Sequence, residues 1–191
     1  MITEPPGLPF LTAVAATVSV ILLWASYPIW YFELILLAFV VGGLLALYWV
    51  IRIALASRKV DVHERSGRWL SPVFIAGGVL LALITDAPFH IRFTLSQPSL
   101  DLYAAALIAD PERERPCQWV GLYFTCGGGP YMDLDTGELI PGSAQFSVHD
   151  PFLHDNKGFL WLPSAEPDET ADDRYRHLTR DWYGHSGWDH W

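Results

Sequence analysis

Trp69–Thr85 reads WLSPVFIAGGVLLALIT, an apolar stretch without a single charge. Beyond it the chain turns acidic and rich in aromatic residues. Whether this stretch crosses a membrane decides the architecture. A helix rises about 1.5 Å per residue and needs about 20 apolar residues to cross the hydrocarbon. This one is somewhat short, and its helix is expected to continue towards Pro88. Two longer stretches precede it. Phe10–Tyr27 (FLTAVAATVSVILLWASY) is uncharged, and Ile29–Ile51 carries one acid, Glu33, near its start. None of the three shows a polar face at helical spacing, which a helix of a soluble protein needs. The expectation is therefore three transmembrane helices, at about 10–27, 29–51 and 69–86.

The leader MITEPPGLP has an acid and no base, unlike the positive start of a signal peptide. A helical hairpin turning at Tyr27-Pro28 is the better reading, because Pro breaks a helix. Arg52, Arg58, Lys59, Arg65 and Arg68 cluster between the second and third stretches. The positive-inside rule places this loop, residues 52–68, in the cytoplasm. Three crossings then put the N-terminus inside and everything after residue 86 outside, as a multi-pass protein of the plasma membrane. Trp24, Tyr27, Trp30 and Tyr31 would form an outer aromatic belt, and Tyr48, Trp49 and Trp69 an inner one. Gly42, Gly43, Gly77 and Gly78 fall mid-membrane, where small residues let helices approach closely. They point either to packing within the same helical unit or to a protein partner or homo-oligomer. No ionisable residue lies mid-membrane, which argues against a transporter or proton channel.

Residues 87–191 are long enough for one domain with its own core. They hold seven of the 12 basic residues but most of the 21 acids. A surface of that sign is a poor match for nucleic acid or anionic headgroups. Both cysteines, Cys117 and Cys126, lie here and flank the strand-like run QWVGLYFT. Outside the cell they are expected to form a disulfide; the competing idea is a metal site completed by histidine. The two ends of a straight strand are too far apart for a bridge, since Cα atoms must come within about 7 Å. Either the segment bends back or one cysteine lies beyond the strand, and Gly127-Gly128-Gly129-Pro130 could supply the bend.

Phe89–Leu95 alternates, and Ser96-Gln97-Pro98 looks like a helix start, so Ser99–Ala109 is expected to be a short helix. Strands are expected at about Gln118–Thr125, Tyr131–Leu134, Glu138–Ile140, Gln145–Val148 and Gly158–Leu162, with a hairpin turn at Asp135-Thr136-Gly137. Asp172–Leu178 reads as a short helix. Together these give an α+β domain with a small antiparallel sheet.

Chemistry is sparsely signalled. His149, Asp150, His154 and Asp155 form HDPFLHD, and His149, His154 and Asp155 could hold a divalent metal. The bland reading is turn histidines in a polar loop. No serine has a nucleophile-elbow context, and CGGGP lacks the Lys-Ser/Thr of a phosphate loop. EPDETADD lacks the ordered spacing of a calcium loop. Of the many aromatic residues, most are expected in the core. Trp182, Tyr183, Trp188 and Trp191 could instead anchor at headgroups, dock on a partner, or cap the domain.

FHIRFTLSQPSLDLYA, WVGLY and the closing YRHLTRDWYG together resemble a group of small uncharacterised membrane proteins of high-GC actinobacteria. Ten arginines against two lysines suit such a genome. The resemblance implies three transmembrane helices and an extracytoplasmic domain, and no activity. The combined expectation is a non-enzymatic binding, sensing or assembly subunit of the cell envelope. Its rival is an extracytoplasmic metal-dependent enzyme or metal-binding protein built on His149 and His154.

Overall fold

The computed structural model describes residues 7–28, 32–56, 66–133, 136–149, 157–163, 166–167 and 174–186. The chain divides into two compact units, Met1–Pro88 and Phe89–Trp191.

The first unit contains helices α1 (Leu8–Trp24), α2 (Phe32–Ala56) and α3 (Ser66–Ile84). Pro in the first turn of α1 costs no hydrogen bond, because the first N–H groups of a helix have no internal acceptor. The ring of Phe10 lies 5.5 Å from that of Tyr48, joining α1 to α2. The Trp49 indole N–H donates to the Trp69 carbonyl at 3.2 Å, joining α2 to α3.

The expectation of three transmembrane helices is overturned here. Among the described residues only α2 is by itself long and apolar enough to cross a membrane, over Ala38–Leu55, with a mean hydropathy of 2.1 and none of that window buried. The helix α1 is apolar but has 17 residues. The third stretch meets the same requirement only if α3 and the helix after it count as one broken span. One crossing, or at most two, replaces three, and the cytoplasmic N-terminus inferred from three crossings goes with them.

The second unit is one long helix, α4 (Ala87–Ala109), and a six-stranded antiparallel sheet. Its strands are β1 (Gln118–Val120), β2 (Tyr123–Gly129), β3 (Ala144–Val148), β4 (Lys157–Trp161), β5 (Arg174–Thr179) and β6 (Trp182–Ser186), in the order β1-β2-β3-β4-β6-β5. Phe89–Leu95 is therefore helical and not strand-like. Pro98 sits inside α4, not at its start. The reason is the buried set Phe89, Phe93, Ser96, Leu100, Tyr103, Ala104 and Leu107, which recurs every three or four residues and forms one helical face. The sheet supplies its counterpart. Phe93 meets Phe159 and Trp182, and Tyr103 meets Phe146 edge-on at 5.0 Å. Trp182 is fully buried, and its indole N–H donates to the Asp101 carboxylate at 2.9 Å.

The run Gln118–Thr125 is two strands and not one. It reverses at Gly121-Leu122, so Trp119 pairs with Phe124 and Val120 with Tyr123. Gly121 has φ +61°, and a Cβ there would lie 2.7 Å from that of Ser96, so both backbone and space require glycine. The Ser96 hydroxyl accepts the Leu122 N–H at 3.0 Å and donates to the Arg92 carbonyl at 2.8 Å. Arg92 donates to the Leu122 carbonyl and lies over the Tyr123 ring. The hairpin is thus pinned to α4 by both backbone groups of one turn residue.

Two further expectations change. Met132 and Leu139 form an isolated bridge instead of a strand pair, closed by the Gly137 N–H on the Asp133 carbonyl; Leu134 and Asp135 lie outside the described residues. The C-terminal segment expected as a helix is strand β5, because Arg174–His177 pairs with Tyr183–Ser186. Strands β3 and β4 fall where strands are expected, at about Gln145–Val148 and Gly158–Leu162.

Candidate interaction surface

Successive residues of a strand point to opposite sides, so the face of the sheet away from α4 follows from register. Pairing of Trp119 with Phe124, and the His149 N–H on the Phe124 carbonyl at 2.7 Å, set three rings side by side across β1, β2 and the end of β3. Ring centroids are 5.4 Å apart for Trp119 and Phe124 and 6.1 Å for Phe124 and His149. Trp119 is 69% exposed. Residues two positions along each strand share this face, and they are Cys117 and Cys126.

Those cysteines form a disulfide, S–S 2.00 Å, with Cα atoms 4.0 Å apart. The bend that permits it is at Gly121-Leu122. Gly127, Gly128 and Gly129 instead remain within β2, across an irregularity between Cys126 and Gly129. The next strand braces the bridge, since the Ser147 hydroxyl donates to the Cys126 carbonyl at 2.9 Å. One helix able to cross a membrane and a disulfide in the other unit are together the marks of a secreted or extracytoplasmic domain.

Towards β6 the same face is closed. Tyr131, Leu160 and Leu162 form a buried cluster with Ile140, Tyr175 and Tyr183 packed on it. Burial pushes the Tyr183 phenol above its ordinary range, and the negative charges of Glu166 and Asp181 add to the effect. The His177 ring stacks edge-on to Tyr183 at 5.1 Å.

The residues singled out from sequence separate accordingly. Cys117 and Cys126 are joined. His149 is exposed and belongs to the aromatic row; His154 and Asp155 lie outside the described residues. Among the described residues no three His, Cys, Asp or Glu side chains are grouped to hold a metal. Trp182 is core, where a partner cannot reach it, and Tyr183 is half-buried against the cluster; Trp188 lies outside the described residues. At Gly42, Gly43, Gly77 and Gly78 an added methyl would meet nothing within 4 Å, so these positions do not bring the helices of their own unit together. An apolar cleft of about 230 Å³ lies between α1 and α2, lined by Ala16, Thr17, Val20, Ile21, Ala38 and Val41. A smaller one of about 110 Å³ lies beside Asp101 and Trp161.

Reading the sequence passed over Trp119 as a surface residue. The available signal was Gly121 in the middle of an apolar run, because a glycine between Val120 and Leu122 turns one buried strand into a hairpin with an outer face. A scan of protein-family models, a search of curated proteins and a search of solved structures each return no match to this chain.

Proposed function

We infer that this chain is an integral membrane protein that presents its C-terminal unit outside the cytoplasm as a non-enzymatic binding or assembly module. The observation that carries this reading is the Trp119–Phe124–His149 row, exposed at Trp119 and His149, beside a disulfide. Exposed, rigidly backed aromatic side chains are favoured contact residues, and disulfides persist in oxidising compartments. The helix α2 crosses the bilayer, the basic loop 52–68 stays on the cytoplasmic side, and α3 returns. Beyond that loop α3 runs from Trp69 to Ile84, which covers about 24 Å, and a bilayer thins locally around a short span. The module then emerges on the far side, where its acidic character suits a basic or neutral protein partner.

One experiment tests compartment and contact together, because the only two cysteines are bonded to each other next to Trp119. Intact cells carrying the full chain or its Trp119→Ala variant are treated with a membrane-impermeant reductant and then an impermeant maleimide. The expected result is no labelling before reduction, labelling of intact cells after it, and faster labelling of the variant because the partner no longer shields the bridge. Labelling that requires lysis would overturn the topology. Equal rates for the two proteins would remove the aromatic row as the contact site.

A further inference from the structure

The helix α4 has two apolar faces, and only one is used by the sheet. Opposite its buried face runs a second stripe, Ile91, Leu95, Pro98, Leu102 and Ala105, again at intervals of three or four residues. Ile91 is 61% exposed, Leu95 66% and Leu102 74%. The two ionised side chains of α4 are engaged by the sheet. Arg92 is bound to the Leu122 carbonyl and the Tyr123 ring, and Asp101 accepts from Trp182. Leu122, half-exposed itself, is held beside the stripe by Arg92. A soluble domain rarely leaves a continuous apolar band of this length uncovered.

We propose that α4 lies flat in the membrane interface and seats the C-terminal unit on the bilayer surface. The inference rests on the membrane reading above. Only Thr85 and Asp86 separate α3 from α4, and two residues reach about 7 Å at most, so α4 begins where α3 leaves the hydrocarbon. It does not continue as a spanning helix. Its inner face is covered by the sheet from Phe89 to Leu107, and among the described residues that sheet has two edge strands, β1 and β5. Unpaired strand edges are not tolerated in hydrocarbon. An upright helix would carry Ala105 about 21 Å away from Ile91. Lying in the plane lets one surface cover the whole stripe, as it does for interfacial amphipathic helices. The chemistry recognised is the boundary between headgroups and acyl chains, through aliphatic burial and not through charge.

The test uses the full chain in phosphatidylcholine–phosphatidylglycerol vesicles. Nitroxide labels are placed by Ile91→Cys, Leu95→Cys, Leu102→Cys and Ala105→Cys, one at a time, with the native disulfide closed. Thr136→Cys, at an exposed turn, is the aqueous reference, and Leu47→Cys in α2 is the lipid reference. Collisions with lipid-soluble oxygen should exceed those with a water-soluble nickel chelate severalfold at all four α4 sites, at one common shallow depth. Nickel access equal to that at Thr136, with Leu47 still lipid-exposed, would overturn the seating alone. Protection from both probes would mean that a second copy or a partner covers the stripe, and depth that changes steadily from Ile91 to Ala105 would mean an upright helix; either overturns the proposal. Nickel access at Leu47 would overturn the membrane reading and the seating with it.

Discussion

The helices α2 and α4 are similar in length, 25 and 23 residues, and end differently. Both carry exposed apolar side chains. Among its described side chains α2 has Leu36, Phe39, Val40, Leu44 and Leu47 all about half-exposed or more, whereas α4 buries seven residues. What separates them is the presence of a sheet with matching aromatic side chains. Apolar surface must be removed from water, but whether lipid or protein removes it is not a property of the helix. The same contrast appears in the glycines. Gly42 of α2 meets nothing, whereas Gly121 is pressed against Ser96 of α4.

The sharpest break of that comparison is Trp182→Ala against Leu44→Ala. Loss of the buried indole should destabilise the C-terminal unit by about 3–5 kcal/mol, whereas Leu44→Ala should change the stability of the detergent-solubilised chain by less than about 1 kcal/mol. Denaturant melts followed by tryptophan emission measure both. Comparable losses would mean that α2 is packed against protein after all.

The glycine pair should differ by somewhat less. Gly121→Ala forces a left-handed backbone on alanine and pushes its Cβ into Ser96, an expected loss of about 2–4 kcal/mol. Gly42→Ala should be neutral or slightly stabilising, because alanine is the better helix former. A destabilised Gly42→Ala chain would reveal a close helix contact at that position.

The smallest effect concerns Tyr183. Its phenol titrates above the ordinary value of 10.0, chiefly because burial disfavours the phenolate. A raised folded-state value means that the unfolded chain loses this proton first. The contribution to stability is complete below about pH 10 and disappears as the pH rises through the folded value. Phenolate absorbance during alkaline titration of the chain and its Tyr183→Phe variant should show one late-titrating phenol missing from the variant. A phenol lost at the ordinary pH would mean that Tyr183 is solvated.

Much of the C-terminal unit is legible because its information is local. The short strand-like runs QFSV and GFLWL place β3 and β4. The spacing of Cys117 and Cys126 demands a reversal between them if they are bonded, although Gly127–Gly129 drew the eye away from Gly121. Three segments distant in sequence are brought together by the fold. FHIRFTLS supplies Arg92 and Ser96, WVGLY supplies the turn they pin, and DWYG supplies Trp182 against Phe93. Local pattern failed where the decisive partner is distant. Arg174–Thr179 is a strand because β6 pairs with it, and Pro98 stays inside a helix because the faces on either side of it are held by the same sheet.

The sequence by itself determined that apolar helices precede an acidic, aromatic domain, that α2 has the length and composition to cross a bilayer, and that two cysteines nine residues apart can meet only across a turn. Periodicity and covalent reach act over a few residues, and they suffice for those statements. Only the tertiary structure decided that the segment after residue 86 is one helix with a buried face, that Trp182 is core, and that Trp119 is surface. Those outcomes depend on which side chain meets which across long separations, as Trp182 meets Asp101 from 81 residues away.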